Sequence, residues 1–407
     1  MEFSIFGKKI LSIKNIRNIT ISDLIINNET QSKESVTSIT AMQYAAVYAC
    51  IKIISETIAS LPIQILEKNN DKIKVRTNGN ELYLINKRPN NLMSKFVFVE
   101  TMVLHMLTTG NGYARIIRNK GDEPVRLDIL NPNKVTAEIN ESNQKLYYKI
   151  EGLKNRVSSI NILHFCGMSL DGINGMSPIE YHKETIGTGL ASKKFEGGMY
   201  GNGAMMSGII TMPGTLTDKA RERLAKSWKK AYSGSGNSGK TAILEGGVDY
   251  KAITMKPADA EFLQISKANI REIARIYRVP LHLLQDIERS THSNIEAQGI
   301  DFVQHTIRPN LKRLEAEYDF KLLKESEKKE GNVYVKFNIE ALLRGDIKTR
   351  AMKYRALFNT GALSPNDIRR LENLNSIEGG DKYYVQSGMI PIDLQQEKIE
   401  NEIKKQE

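Results

Sequence analysis

The sequence predicts an α+β protein built from several modules, and two observations carry that prediction. Residues 63–165 hold short β-like runs separated by Gly, Asn and Pro turns, which is typical of an antiparallel-rich domain. From Ser177 onward the pattern changes to long stretches with helical periodicity. At 407 residues the chain is also well above the usual size of one domain, so each module can bury a core of its own.

Composition and charge exclude several protein classes. Hydrophobic residues make up 40% of the chain and charged residues 26%, which is close to an average globular protein and argues against a fibrous repeat or disorder throughout. Lys and Arg number 58 against 47 Asp and Glu, giving a net charge of +11. This excess favours a polyanionic partner such as nucleic acid, without identifying one.

Cysteine usage and hydropathy indicate a protein of a reducing compartment with no membrane partner. Cys50 and Cys166 form no CxxC pair, so neither a disulfide framework nor a thiolate zinc site is expected. No apolar run is long enough for a membrane span, and the N-terminus lacks the pattern of a signal peptide. Residues 1–38 are polar and weakly patterned, which predicts an arm that orders only against a partner.

The first half of the chain contains two predicted helices among the strands. The first begins at Thr40, which has capping-box spacing to Gln43, and ends near Leu61, before a proline. The second, residues 96–108, closes at Gly110. The predicted strands occupy residues 63–67, 113–118, 125–130, 135–139, 147–150 and 162–165.

A long helix is predicted to begin after Ser177, because Pro178 and Glu180 follow at the positions that favour a helix start. It contains six glycines, so we expect close packing against a neighbour at some of them and unwinding at the last few. An insert at residues 207–254 follows. It has a predicted strand (208–212), a helix capped by Thr217 that reaches about residue 232, a Gly/Ser loop and a second strand (241–244).

The next predicted helix, residues 259–278, ends before Val279. After a polar loop, Ser293 and Glu296 have capping-box spacing and open a helix whose apolar stripe advances in steps of three and four residues. The stripe stays in phase across Pro309, so we predict one long helix, kinked there.

The C-terminal part predicts a strand, two helices and a tail. The strand covers residues 333–337, and the first helix covers residues 346–359 and closes at Gly361. A short helix begins with Ser364 as its cap and a proline at its first position. From residue 376 the chain holds seven acidic and four basic side chains, which predicts a solvated or disordered tail.

One motif invites an enzymatic hypothesis. GSGNSGKT, residues 234–241, satisfies the pattern of a phosphate-binding loop, and Lys240 and Thr241 would contact the nucleotide. A phosphate loop needs a strand before it and a helix after it, whereas here a basic helix precedes and a β-like run follows. We therefore favour a flexible loop and keep a nucleotide-dependent DNA-processing enzyme as the alternative.

Other catalytic patterns are weak, and we expect no catalytic residue, metal site or cofactor. The six histidines form no HExxH and no pair four residues apart. His164 and Cys166 share one face of a strand, for which burial is the favoured explanation. The acids of the long helix are interpreted as a solvated face, namely Glu315, Glu317 and Asp319.

Several phrases, in this order, resemble the portal proteins of tailed bacteriophages. The strongest are IREIARIYRVPLHLL at residues 270–284, STHSNIE at 290–296 and FVQHTIRP at 302–309. The resemblance covers about residues 40–381 and is to the short-chain branch of these head-tail connectors. Further matching phrases are GNGYA (110–114), LNP (130–132), HF (164–165), GMSPI (175–179), LEGG (244–247) and GALSPNDIR (361–369).

The resemblance implies a portal-type fold with an α/β wing, a two-helix stem, a small α/β clip, a long kinked tunnel helix and a helical crown. Carried onto this sequence, it divides the chain into the following parts: a flexible N-terminal arm (1–39), the wing (40–176), a stem helix (177–206), the clip (207–256), the second stem helix (257–284), the tunnel loop (285–294), the long kinked tunnel helix (295–330), a wing strand (331–345), the crown (346–375) and an acidic tail (376–407).

The resemblance also implies a function. Similar proteins are not enzymes: they form twelvefold, ring-shaped channels at one capsid vertex, which serve genome packaging, terminase docking, tail attachment and DNA ejection. Implied partners are other copies of the chain, double-stranded DNA bound without sequence specificity, the terminase large subunit, the major capsid and scaffolding proteins, and a head-tail connector protein. The implied location is the virion, after assembly in the host cytoplasm.

Two sets of candidate site residues follow from the resemblance. The tunnel loop would contact DNA in the channel through Glu288, Arg289, Ser290, Thr291, His292 and Ser293. The clip, where residues 218–240 hold seven basic and two acidic side chains, would dock the terminase through Arg221, Arg223, Lys226, Lys229, Lys230 and Lys240. Residues 296–330 hold seven basic and eight acidic side chains, so we also expect a nearly neutral channel wall that does not grip DNA.

Overall fold

The chain forms two compact units, Met1–Asn338 and Ile339–Glu407. Helices alternate with antiparallel strand pairs, which confirms the α+β class. No helix in the described part of the chain is long and apolar enough to cross a bilayer. The computed structural model describes residues 3–5, 8–10, 30–69, 72–201, 208–211, 213–232, 249–252, 258–285, 292–339, 347–372 and 374–384.

The N-terminal part is more ordered than the sequence predicts. Strands β1 (Phe3–Ile5) and β2 (Lys8–Ile10) pair as an antiparallel hairpin. Thr30 is buried, and its hydroxyl oxygen accepts the N–H of Glu34 at 3.1 Å. The prediction of an arm that orders only against a partner is therefore wrong for residues 30–38, which fold against their own chain.

Helices α1 (Ser38–Ala41) and α2 (Ala45–Ser60) replace the single first helix that the sequence predicts. The Thr37 hydroxyl accepts the N–H of Thr40 at 3.2 Å, and the Thr40 hydroxyl accepts the N–H of Thr37 at 2.8 Å. Thr40 is thus the third helical residue of a capping box, and the predicted box with Gln43 is wrong. Helix α2 ends before the proline, as predicted.

Strands β3 (Ile63–Asn69) and β4 (Lys72–Val75) form an antiparallel pair, followed by helices α3 (Asn80–Asn86) and α4 (Lys95–Thr109). The sequence pattern predicts neither β4 nor α3. Helix α4 ends as predicted at Gly110, which has φ of 81°, a left-handed conformation that favours glycine.

Two antiparallel sheets occupy the middle of this unit, with strand orders β10-β5-β6 and β7-β8-β9. Their shared core contains the buried side chains of Tyr113, Tyr148, Ile150 and Ile162. The sequence predicts every one of these strands except β9. Their bounds are β5 (Asn111–Arg118), β6 (Pro124–Leu130), β7 (Val135–Asn140), β8 (Lys145–Ile150), β9 (Val157–Ser158) and β10 (Ile162–Cys166).

Helices α5 (Pro178–Tyr181) and α6 (Lys183–Gly201) lie where the sequence predicts one helix. The Ser177 hydroxyl accepts the N–H of Glu180 at 3.1 Å, so the predicted start is confirmed. The prediction of an unbroken helix is wrong, because His182 has a non-helical backbone (φ −111°, ψ 26°) that separates the two segments.

Two glycines of α6 allow close packing, as predicted. A Cβ atom at Gly187 would lie 2.7 Å from the Thr30 side chain, and one at Gly189 would lie 2.7 Å from the Tyr44 ring. The expected unwinding is wrong for the next glycines, since α6 remains helical to Gly201.

Strand β11 (Gly208–Thr211), helix α7 (Asp218–Tyr232) and strand β12 (Asp249–Ala252) form the described part of the insert. The first strand and the helix confirm the predictions. Strand β11 pairs antiparallel with β12, which the sequence does not predict. The predicted strand at 241–244 and the loop at 234–241 lie outside the described residues.

Helix α8 (Ala258–Tyr277) packs against α6. The Asn269 amide donates to the backbone oxygen of Thr185 at 2.9 Å across this contact. The helix ends one residue before the left-handed Arg278 (φ 54°), in agreement with the predicted end before Val279.

Helix α9 (His292–Phe302), a π-helical segment (Val303–Ile307) and α10 (Arg308–Leu322) form one continuous helical path. The prediction of a single helix across Pro309 is confirmed, and the π-helical turn just before the proline accommodates its ring and its missing N–H. Ser293 lies inside α9, so its predicted role as N-cap is wrong.

The helical path is shorter at its C-terminal end than predicted. It ends at Leu322, because Leu323 is extended (φ −78°, ψ 154°), and α11 (Glu325–Glu330) is a separate helix. Strand β13 (Val333–Phe337) then pairs antiparallel with β3 and completes a sheet of order β13-β3-β4.

The second unit contains α12 (Ile347–Asn359) and α13 (Pro365–Leu371). Ser364 and Asp367 form a capping box at the start of α13, which confirms the predicted helix start. Asn366 accepts the N–H of Ile377 at 2.9 Å and donates to its oxygen at 3.0 Å. The first residues of the predicted disordered tail are therefore folded.

Candidate functional site

Helix α10 uses acidic side chains to bind the edge of a sheet. Glu315 accepts the N–H of Phe337 at 2.9 Å, and Asp319 accepts the N–H of Val335 at 2.5 Å. Both N–H groups belong to β13, an edge strand whose outward N–H groups need partners. The prediction of a solvated acidic face on this helix is wrong, because Glu315 is buried and Asp319 is half-buried.

The same helix binds a second strand edge through the remaining acid, and a 3-10 helical turn just before that strand through a lysine. Glu317 accepts the N–H of His164, in edge strand β10, at 3.2 Å. Lys321 is buried and donates to the backbone oxygen of Ser159 at 2.5 Å. Residues four apart lie on the same helix face. Glu315 and Asp319 therefore form one polar row, and Glu317 and Lys321 form a second. Helix α10 therefore joins two sheets of the first unit.

Burial changes the acid–base properties of two carboxyl groups of α10, Asp319 and Glu317. Burial raises the pKa of Asp319 to about 6, and the hydrogen bond from Val335 opposes that rise. Burial also raises the pKa of Glu317, against the opposing effects of the Lys321 charge and the His164 N–H. Both groups are acceptors whose ionised form loses hydration when the helix packs.

His164 is a buried, neutral member of a hydrogen-bonded cluster. Its Nε2 lies 2.9 Å from Asn111 Oδ1 and its Nδ1 lies 3.0 Å from the Tyr148 hydroxyl. Because the amide oxygen can only accept, Nε2 carries the proton and Nδ1 accepts from Tyr148. Burial, and to a smaller extent the Lys321 charge, lower the pKa of His164 to about 3, so the ring stays neutral.

This environment supports a structural role for the His164 and Cys166 pair. Burial is the main cause that raises the pKa of Cys166 to about 11, which leaves the thiol protonated at neutral pH. Among the described residues, no group of three or more His, Cys, Asp and Glu side chains is arranged to hold a metal ion.

The predicted tunnel loop is described only at its two ends. The turn before it is tied to the π-helical segment by Thr306, whose hydroxyl donates to the oxygen of Arg278 at 2.6 Å. His282 Nδ1 lies 2.8 Å from Gln298 Oε1 in α9. These contacts bring the two ends of the loop together. Of the predicted loop residues, His292 and Ser293 begin α9, and the others lie outside the described residues, namely Glu288, Arg289, Ser290 and Thr291.

Helix α7 carries the described part of the basic candidate set on its exposed face. Arg221, Arg223 and Lys226 are exposed. Arg221 lies 3.6 Å from Asp218 and Lys226 lies 3.8 Å from Glu222, and such exposed ion pairs contribute little stability. The remaining candidates are not described at side-chain level: Lys229 and Lys230 are part of α7, and Lys240 lies outside the described residues.

A comparison with known families accounts for this architecture. The family model described as "Phage portal protein" matches residues 45–373, which is most of the chain. The chain belongs to the phage portal protein family. This membership bears out the resemblance that the ordered sequence phrases indicate.

Two curated relatives of this portal-family chain are similar over most of their length. The "Probable portal protein" of Streptomyces phage phiC31 is 32% identical over 369 residues, covering 87% of this chain and 80% of that protein. The "Portal protein" of Enterobacteria phage HK97 is 29% identical over 356 residues, covering 86% of this chain and 83% of that protein.

Solved structures show the same fold. An HK97 family phage portal protein from Corynebacterium diphtheriae aligns with a TM-score of 0.57 at 14% identity, over 78% of this chain and 98% of that chain. A chain from the virion of a native gene transfer agent particle aligns with a TM-score of 0.55 at 23% identity, over 84% of this chain and 94% of that chain. A chain from the neck of the native particle, computed with C12 symmetry, aligns with a TM-score of 0.54 at 21% identity, over 88% and 100%.

In this portal-family chain, the numbers of acidic and basic residues in the long helix do not give the charge of its exposed surface. Among the described side chains of α9 and α10, the exposed ones include three basic groups, Arg308, Lys312 and Arg313, and one acid, Asp301. The three acids of α10 accept N–H groups of strand edges instead. The exposed charges described in α9 and α10 are therefore mostly basic, whereas the neutral channel wall stays a prediction.

Sequence reasoning missed the buried carboxylates of this portal-family chain, although one signal was present. Glu315 lies four residues after Leu311 and three before Tyr318, so it occupies a position of the apolar stripe itself. An acid inside such a stripe indicates either a broken pattern or a buried acceptor. The choice depends on which strand edge lies opposite, which the sequence does not give.

Proposed function

We propose that this chain is the subunit of a portal ring, the channel at one capsid vertex through which double-stranded DNA is packaged and later ejected. The family match over residues 45–373 carries the proposal. A twelvefold ring is supported by the C12 symmetry named for the neck of the native gene transfer agent particle. The ring would be a virion component assembled in the host cytoplasm, and it would be structural, without catalysis or a cofactor.

We assign the portal parts as follows. The wing is residues 40–176 with the strand of 331–345, an assignment supported by the β3–β13 pairing. The stem is residues 177–206 and 257–284, supported by the packing of α6 on α8. The remaining parts are the clip (207–256), the tunnel loop (285–291), the tunnel helix (292–322) and the crown (346–375).

The clip would dock the terminase large subunit and later the head-tail connector protein. Helix α7 supports this, because Arg221, Arg223 and Lys226 form an exposed basic surface suited to an acidic protein face. Lys229, Lys230 and Lys240 would extend that surface. The capsid and scaffolding proteins are the other partners that a capsid-vertex ring requires.

The tunnel loop would contact the DNA backbone without reading its sequence. Its ends are fixed by Thr306 and His282, which supports a short loop held at a defined place relative to the helix. Arg289 is the basic group of the loop and the natural contact for phosphate.

Electron microscopy of the purified protein tests the proposal. We expect rings with a central channel and no ATP turnover. A monomer with steeply salt-dependent DNA binding would contradict the ring. ATP turnover that is abolished by Lys240→Ala would instead establish the enzyme hypothesis.

A further inference from the structure

Two apolar surfaces stand at opposite ends of α4. The start patch consists of Leu92, Phe96 and Val97, and the end loop consists of residues 168–175. Helix α4 has 15 residues, which separates its ends by about 22 Å. The end loop lies beside the residues that follow the C-terminal end of the helix, since the Asn111 side-chain amide donates to the oxygen of Gly175 at 2.9 Å. One wing therefore presents two different surfaces that cannot contact each other.

The start patch is exposed on a rigid turn. Leu92 is 88% exposed. The turn is held by the buried Asn90, whose side-chain oxygen accepts the N–H groups of Leu92 and Met93 at 2.9 and 3.1 Å. The amide of Asn90 donates to the oxygen of Leu127 at 2.8 Å, which ties the turn to β6. The exposed leucine is thus fixed in place rather than carried by a free loop.

The end loop is equally rigid and equally apolar at its tip. Met168 is 67% exposed and Leu170 is 69% exposed. Beneath them, the Asp171 carboxylate accepts the N–H groups of Ile173 and Asn174, each at 2.7 Å. The same carboxylate accepts the Ser169 hydroxyl and the Asn174 side-chain amide, both at 2.9 Å. A preordered apolar tip can dock with little loss of conformational entropy.

Charged side chains of opposite sign are found beside the two surfaces. Lys87 and Arg88 are exposed next to the start patch, where the Lys95 N–H donates to the oxygen of Lys87 at 3.0 Å. Within the described part of the chain, neither side chain forms an ion pair. The end loop carries the acidic Asp171. Two docked surfaces would therefore combine apolar contact with attraction between unlike charges.

We propose that the start patch of one subunit contacts the end loop of the next subunit in the ring. Two unlike surfaces on one chain make a head-to-tail contact, and such a contact generates a closed ring when the rotation between neighbouring subunits divides a full turn. Burying Leu92, Met168 and Leu170 in that contact also removes apolar side chains from water. The inference rests on the proposed portal function, because it names the surfaces through which the ring closes.

Disulfide cross-linking tests the contact directly. In a Cys166→Ser background, we expect the double variant Leu92→Cys, Leu170→Cys to give a ladder of covalently linked subunits after oxidation of assembled rings. Either single cysteine alone gives no ladder. The native Cys50 is buried and does not compete. As a matched control, Leu92→Cys with Ile139→Cys, an exposed apolar residue of β7 outside both surfaces, also gives no ladder.

The outcomes separate this inference from the portal function. Rings that assemble while the Leu92 and Leu170 pair stays unlinked overturn the contact and leave the ring function in place. A wild-type protein that forms no rings overturns both. As a second readout, Leu92→Asp should abolish rings while the subunit stays folded by circular dichroism, whereas Ile139→Asp should leave rings intact. Intact rings in Leu92→Asp would also contradict the contact.

Discussion

At the scale of single residues, the acids of α10 explain how a helix can pack against strand edges. A buried edge offers N–H groups that need acceptors, and a carboxylate supplies a strong one at the cost of its hydration. Glu315 and Asp319 act in this way on β13, and Glu317 does so on β10. At Asp319 this geometry requires an acceptor oxygen. The negative charge is unfavourable there because the carboxylate loses hydration.

Replacing Asp319 tests whether the acceptor oxygen, rather than the negative charge, stabilises the fold. We expect Asp319→Asn to leave stability unchanged or raised, because the amide oxygen still accepts the N–H of Val335 and no charge is desolvated. Asp319→Ala should lower the free energy of unfolding by about 1–3 kcal/mol, since it leaves that N–H without a partner. Urea denaturation of both variants measures the difference. Equal losses would show that the charge itself stabilises the fold.

The contribution of Asp319 to the stability of the fold changes with pH in a defined direction. The pKa of Asp319 is raised from 3.8 to about 6 in the folded chain, so between these values the folded state binds the extra proton. Its protonation therefore stabilises the fold fully below pH 3.8, and this gain is lost as pH rises through 6. We expect Asp319→Asn to exceed wild type in stability at pH 7, with the difference shrinking at pH 5. A difference that grows on acidification would contradict the raised pKa.

Two tyrosines give a matched test of buried hydroxyl groups. The Tyr318 hydroxyl is buried and has no hydrogen-bond partner among the described residues, whereas the Tyr148 hydroxyl bonds His164 at 3.0 Å. We expect Tyr318→Phe to leave the thermal midpoint unchanged or raised. Tyr148→Phe should lower stability by about 1–2 kcal/mol, because it leaves a buried ring nitrogen unpaired. The reverse order would show that the Tyr318 hydroxyl is satisfied in solution.

At the scale of elements, α6 combines tightly packed and open glycines. Gly189 lies against the Tyr44 ring and the Asn269 amide, so its missing side chain lets α8 and the N-terminal end of α2 approach. Gly198 is exposed, and a Cβ atom added at this position would have no neighbouring residue within 4 Å. The same residue type is therefore required at one position of the helix and unfavourable at the other.

Alanine at these two positions should have opposite effects. Gly189→Ala would place a Cβ atom 2.7 Å from Tyr44 and Asn269, and we expect it to destabilise the fold by roughly 1–3 kcal/mol. Gly198→Ala should stabilise the isolated subunit by roughly 0.5–1 kcal/mol through helix propensity. Thermal denaturation of the subunit measures both. A loss in Gly198→Ala would indicate that this position packs against another surface.

At the scale of the whole molecule, the fold determines where the excess basic side chains are exposed, and the net charge alone does not show this. The net charge of +11 includes the exposed basic groups of α7 and of the α9–α10 surface. Three of the acids counted in the long helix, Glu315, Glu317 and Asp319, bind strand edges instead. Every phosphate contacted by an exposed Lys or Arg adds salt-dependent affinity, so a DNA channel depends on which of these groups face its axis.

Arg289→Ala tests the proposed tunnel loop in the assembled particle. We expect rings to form normally, while DNA packaging or DNA retention changes, because the loop loses its basic contact to phosphate. Negative-stain microscopy counts rings, and nuclease protection measures packaged DNA. Arg156→Ala is a matched control, since that arginine is exposed and pairs with Glu138 in the sheet of β7. Failure of Arg289→Ala to form rings would assign that residue to the subunit interface instead.

The α+β class, most strands, and the helix starts and ends that have a local signal can be predicted from the sequence alone. Ser177, Ser364 and Gly110 act through their own backbone neighbours, so their roles are visible in a short window. The ordered phrases likewise identified the family without any contact between distant residues.

Which polar groups are buried and which surfaces stay exposed depends on contacts that form only when the chain folds. Glu315 and Asp319 accept N–H groups of β13, and Glu317 accepts one from β10, which lies far away in sequence. The pairing of β11 with β12 and the exposure of Leu92 likewise depend on parts of the chain that meet only after folding. The periodicity of a sequence shows which residues share one face of a helix or strand. Whether that face is buried depends on the element that packs against it.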